Sequence, residues 1–148
     1  MRNGEASRRI RLQSLGSLVK LARRGVDERR AELSRIEQAL AEAAQLVAGH
    51  DARAAAEMEA ARQDLAAMTA YPAWSAQAMR QREQLELRCQ QLETAGEAAR
   101  EALREAFAEL KRLELAQQAA ERDARRAALC RAEKRVEDQE YARLREVA

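Results

Sequence analysis

His50, Cys89 and Cys130 are the only histidine and cysteines of the chain, the side chains that most often serve as bases, soft nucleophiles or zinc ligands. His50 has no second histidine and no cysteine near it in sequence, so no tetrahedral zinc set forms around it. It reads as a solvated flank residue. Cys89 and Cys130 lie 41 residues apart; in one continuous helix that is about 60 Å, far beyond disulfide reach. Cys89 is expected to be a small seam residue rather than a reactive thiol. No glycine-rich phosphate loop followed by Lys-Ser/Thr is present. Catalysis needs a nucleophile, a base and orienting groups converging in a cleft. The chain instead reads as non-enzymatic, with neither cofactor nor metal.

What remains is chemistry of recognition. Arg8, Arg9 and Arg11, then Lys20, Arg23 and Arg24, form a basic stretch whose apolar face is Ile10, Leu15, Leu18, Val19, Ala22 and Val26. Such a helix can lie on anionic lipid or track phosphates. Its apolar residues, however, belong to a longer periodic pattern, which assigns that face to a partner helix, and no aromatics interleave with the cations as single-stranded nucleic-acid binding requires. Tyr71 and Trp74 cluster with Met68 and Met79. They can plug a chain reversal, or they can present a surface to a partner. Trp74, Gln77, Gln81, Gln84 and Arg88 repeat at three and four residues, one position off the apolar seam, and make a nearly uncharged exposed stripe.

The elements that must position these groups follow from periodicity. Leu12, Val19, Val26, Leu33, Leu40, Val47, Ala54, Ala61 and Met68 recur every seven residues. That is a coiled-coil seam, expected to form a first helix over about 8–69. Met1–Glu5 read as disordered, with Ser7 as the cap. The second seam position holds Leu15, Ala22, Arg29, Ile36 and Ala43, then turns polar at His50, Glu57 and Asp64, and Met58 and Leu65 are the apolar replacements. This four-residue phase jump predicts local unwinding near Gly49.

Pro72 is the only proline. It predicts a turn over 70–75, with the reversal at Tyr71–Ser75 and Ser75 as an alternative cap. A second helix over about 76–144 then carries its own seam at spacings of four and three. That seam runs Leu85, Cys89, Leu92, Gly96, Ala99, Leu103, Ala106, Leu110, Leu113, Gln117, Ala120, Ala124 and Ala127. The reading is all-α: one domain of 1–148, two long helices in an antiparallel coiled-coil hairpin.

Composition agrees. Of 148 residues, 35% are charged and 3% aromatic, with five glycines, poor material for a globular core and typical of long helices. No sheet is expected. No segment reads as a signal peptide or a membrane span, so the chain is expected in the cytoplasm. The net charge of +2 hides an asymmetry. Residues 8–35 carry nine Lys/Arg against three acids and residues 109–136 eight against five. Folding about Pro72 places these blocks side by side, opposite a mildly acidic turn end.

The assembled features resemble the FliJ family of flagellar export proteins and their YscO-type injectisome counterparts. The likeness rests on the hairpin architecture, on Arg11-Leu12-Gln13-Ser14-Leu15 near the start, and on the charged C-terminal run. That run comprises Lys111-Arg112-Leu113-Glu114, Glu121-Arg122, Glu133-Lys134-Arg135 and Asp138-Gln139-Glu140-Tyr141-Ala142-Arg143. Asp138-Gln139-Glu140 departs from the contiguous Asp-Glu of such tails, which keeps the injectisome relatives in view.

The resemblance implies a stalk that links a hexameric export ATPase to the export gate protein FlhA and escorts export chaperones. It implies no nucleic-acid partner, a cytoplasmic location peripheral to the inner-membrane export apparatus, and membrane association through partners only. On that reading Arg8, Arg9, Arg11, Arg23, Arg24, Arg125 and Arg126 face the ATPase ring. Trp74, Gln77, Gln81, Gln84 and Arg88 face the gate. A scaffolding coiled coil without a motor partner is the alternative from another class.

Overall fold

The computed structural model describes residues 2–147, in two helices: α1, Arg2–Gln63, and α2, Leu65–Val147. There is no strand among the described residues. The helices pack against each other as an antiparallel pair, as the ion pairs show: Glu5 meets Arg131 and Arg23 meets Glu114, while Glu37 meets Arg100 and Asp51 meets Arg82.

The reversal lies at Asp64 and not at Tyr71–Ser75. Asp64 interrupts the helix because its carboxylate accepts hydrogen bonds from the amides of Ala66 (3.4 Å) and Ala67 (3.2 Å). Its carbonyl accepts from Met68 N at 2.9 Å. These are the contacts of a helix N-cap, which satisfy amides that have no partner inside the first turn. Pro72 sits within α2, in its second turn. The ring removes only the amide that would have bonded Met68's carbonyl, and Met68 is 57% exposed. Ser75 caps nothing; its hydroxyl donates to the Pro72 carbonyl at 3.0 Å.

Moving the reversal shifts the register. Arg23 meets Glu114, where a fold about Pro72 would have brought Glu121 opposite; Glu37 meets Arg100 and not Phe107. Each partner is displaced by about two turns of helix. α2 therefore outruns α1: beyond Arg131, which pairs with Glu5, residues 132–146 are all exposed.

The α2 seam is as its periodicity predicts, with all thirteen positions from Leu85 to Ala127 buried or half-buried. In α1 the seven-residue repeat from Leu12 to Ala61 is buried or half-buried, while Arg29 and Glu57 at the second seam position are exposed, as is Met68, now in α2. The phase jump does not occur. Met58 is 44% and Leu65 75% exposed, His50 is half-buried at the regular seam position, and α1 runs unbroken through Gly49. Ala54 and Ala61 are small enough to keep the helices in contact without a change of face. Ser7 lies inside α1, which begins at Arg2, so the cap expected there is absent; Met1 lies outside the described residues.

The chain divides into two compact units, Met1–Val26 with Glu105–Ala148, and Asp27–Arg104. Their buried apolar residues are few and small. Val19 and Val26 belong to the first unit; Ala43, Ala61, Ala78 and Leu92 belong to the second. At about 0.8 kcal/mol per buried methylene, an alanine seam holds far less tightly than a leucine one.

Candidate partner-binding surfaces

In the unit that contains the chain termini, the seven arginines from Arg8 to Arg126 expected to face a ring are all exposed. Arg23 is partly engaged, donating to Glu114 Oε1 at 3.1 Å. Arg8, Arg9, Arg11, Arg24, Arg125 and Arg126 form no ion pair among the described residues. This unit carries seventeen Lys/Arg against eleven Asp/Glu, a net +6. The other unit carries ten against fourteen, a net −4. The asymmetry read from sequence thus persists at the observed register, with a smaller value at the basic end because this unit also takes in Glu105, Glu137, Asp138, Glu140 and Glu146 against Arg143 and Arg145.

In that second unit the exposed stripe is partly assembled. Trp74, Gln77 and Gln81 line a shallow groove together with Ala78 of α2 and His50 and Arg53 of α1. Gln84 and Arg88 are exposed on the same helix but do not line it. Trp74 is half-buried and stacks on Tyr71, with ring centroids 5.9 Å apart and planes inclined by 29°. The two aromatics stand inside the first turns of α2 and not at the reversal, so they do not form its turn.

Sequence reasoning missed His50 and Arg53 as members of this surface. The signal was present: His50 falls on the regular seam spacing from Ala43. Its Nδ1 is buried without a hydrogen-bond partner. Beside it, Arg82 donates from Nε to Asp51 at 2.7 Å and from Nη1 to Glu86 at 2.6 Å. The hydrogen bond from Arg82 lowers the Asp51 carboxyl below its usual pKa, with the guanidinium charge adding to the effect.

A second groove of the same unit is lined by Ile36, Glu37 and Leu40 of α1 and by Glu93, Gly96, Glu97 and Arg100 of α2. No group of three or more His, Cys, Asp or Glu able to hold a metal occurs among the described residues. Cys89 is half-buried in the seam and Cys130 is exposed. No helix among the described residues is long and apolar enough to cross a membrane. No known protein family, curated protein or solved structure matches the chain.

Proposed function

We propose that this chain is a non-catalytic, FliJ-like stalk and chaperone-escort component of the flagellar type III export apparatus, acting in the cytoplasm at the inner-membrane export machinery. It links a hexameric export ATPase to the export gate protein FlhA. The observation that carries the reading is the split of charge along an antiparallel helical hairpin, +6 in the unit holding both termini and −4 in the other. A basic end of this kind suits acidic loops of a ring, attracts them at a distance, and loses that attraction as salt rises. The groove of Trp74, Gln77 and Gln81 supplies an aromatic and two amides for the gate.

The test is co-purification with the export ATPase, followed by measurement of ATPase hexamer formation with and without the chain. Replacing Arg24, Arg125 and Arg126 by Glu is expected to weaken ring binding at low salt. Unchanged affinity there refutes the reading of the basic end. The departure at Asp138-Gln139-Glu140 leaves room for the YscO-like injectisome alternative, which pairing with the injectisome ATPase in the same assay would identify.

A further inference from the structure

The α2 seam through the terminal unit is fixed by burial: Leu110, Leu113, Gln117, Ala120, Ala124, Ala127 and Arg131 are all half-buried. Around that axis the charges of residues 109–130 separate by sign. The acids Glu109, Glu114, Glu121 and Asp123 occupy the positions flanking the seam. They are partly used there: Glu114 accepts from Arg23, and Glu121 from Gln117.

Every cation of the stretch lies on the opposite side, directed away from α1. These are Lys111, Arg112, Arg122, Arg125 and Arg126, all exposed. Lys111, Arg122, Arg125 and Arg126 form no ion pair among the described residues, and Arg112 reaches only Glu109, at 3.3 Å. Along the midline of this acid-free strip stand Leu115, 51% exposed, and Leu129, 65% exposed. Val136, 54% exposed, continues the line one heptad further, beside the first acid of that face, Glu133.

We propose that this outward face of α2, from Lys111 to Leu129, binds the surface of an anionic lipid bilayer directly. Leucines on the outermost line of a helix, flanked on both sides by long cationic side chains, match a helix lying in the interfacial plane. There the apolar residues enter the acyl boundary while the arginine stems follow them and leave their heads among lipid phosphates. A second copy of the face is excluded by charge, since five cations would oppose five. An acidic protein would pair with the cations but would give the midline leucines no reason to be exposed. The inference goes beyond the stalk reading, in which membrane contact is made through partners only.

The experiment is co-sedimentation of the full chain with phosphatidylcholine vesicles, with and without phosphatidylglycerol. The wild type is expected to bind the anionic vesicles, to release them as salt is raised, and to ignore the zwitterionic ones. Lys111→Glu with Arg122→Glu is expected to reduce binding at least about thirtyfold. Leu115→Gln with Leu129→Gln is expected to reduce it while leaving the salt dependence in place. This double variant decides the matter if the charge-reversed chain is not helical by circular dichroism.

Arg125 and Arg126 are left intact, so ATPase-ring binding can be scored separately on the same proteins. Equal binding to both vesicle types overturns the proposal, as does binding that survives both double variants. So does binding lost only on changing Arg8, Arg9 and Arg11 to Glu, which would place lipid contact on α1. Retention on immobilised polyglutamate without vesicle binding overturns it too and assigns the face to an acidic protein.

Discussion

Arg82 reaches across from α2 to hold Asp51 of α1 through both carboxylate oxygens, Nε at 2.7 Å and Nη2 at 3.4 Å, while the same guanidinium bonds Glu86 one turn along its own helix. This fork fixes the register beside the seam histidine. Because the Arg82 hydrogen bond lowers the Asp51 pKa, the unfolded chain takes up this proton more readily than the folded one. The contribution is therefore present above the ordinary carboxylate range near pH 4 and is lost as pH falls through the lower folded value. Asp51→Asn is expected to lower the urea midpoint slightly at neutral pH and to leave it equal to wild type under strongly acidic conditions. The fork lies at the surface with its side chains partly exposed, so the effect also shrinks in high salt.

The register itself is measurable by paired spin labels in a chain with Cys89→Ala and Cys130→Ala. Labels at Arg23 and Glu114 are expected to lie closer together than labels at Arg23 and Glu121, because the ion pair joins the first two. The reverse order would restore a reversal at Pro72.

Asp64→Ala removes the acceptor for the amides of Ala66 and Ala67 and is expected to destabilise the protein by about 1 kcal/mol. Pro72→Ala is expected to act in the opposite direction, by up to about 3 kcal/mol, since it restores a helical amide inside α2. Thermal melts of the two variants should move apart. A proline that formed the turn would give a loss in both.

Gly96 is buried, and a Cβ built on it meets Ile36 Cγ2 at 3.7 Å, ordinary van der Waals contact. Gly96→Ala thus adds helix propensity without overpacking and is expected to stabilise by about 1 kcal/mol in denaturant titration. Gly96→Val, which adds two further carbons next to Ile36, is expected to lose that gain.

His50→Leu replaces a half-buried ring whose Nδ1 is unsatisfied by an apolar side chain at a seam position. A stabilisation of about 1–2 kcal/mol is expected from relief of the unpaired polar atom and from added burial. Loss of stability on this change would mean that the imidazole has a partner in solution.

The α2 seam was legible residue by residue because leucine and alanine recur there at unbroken spacings of four and three. The α1 seam was legible as far as Val47. Past it, Met58 and Leu65 were expected to join Ala54 and Ala61 in the seam; the two alanines are inside, but Met58 and Leu65 are exposed, because two small residues let helices approach where bulk would hold them apart. The reversal was misread for a similar reason. Proline is the stronger signal in a sequence, but a proline in the second turn disturbs only one hydrogen bond, whereas Asp64 supplies three contacts to a helix start. Of the candidate surfaces, the stripe from Trp74 to Gln81 was visible as a periodicity. Its α1 side, His50 and Arg53, depended on a register that the misplaced turn had shifted. The segregation of charge on α2 was present in the heptad positions and emerges once burial fixes which side faces α1.

The few buried side chains carry a consequence for how this protein unfolds. Val19 and Val26 in one unit and Ala43, Ala61, Ala78 and Leu92 in the other are rungs spaced along a narrow helix pair, with no shared core within either unit. A ladder opens rung by rung, so amide exchange should show a graded profile instead of one shared opening event. Each substitution then changes exchange most in its own stretch of the helix pair.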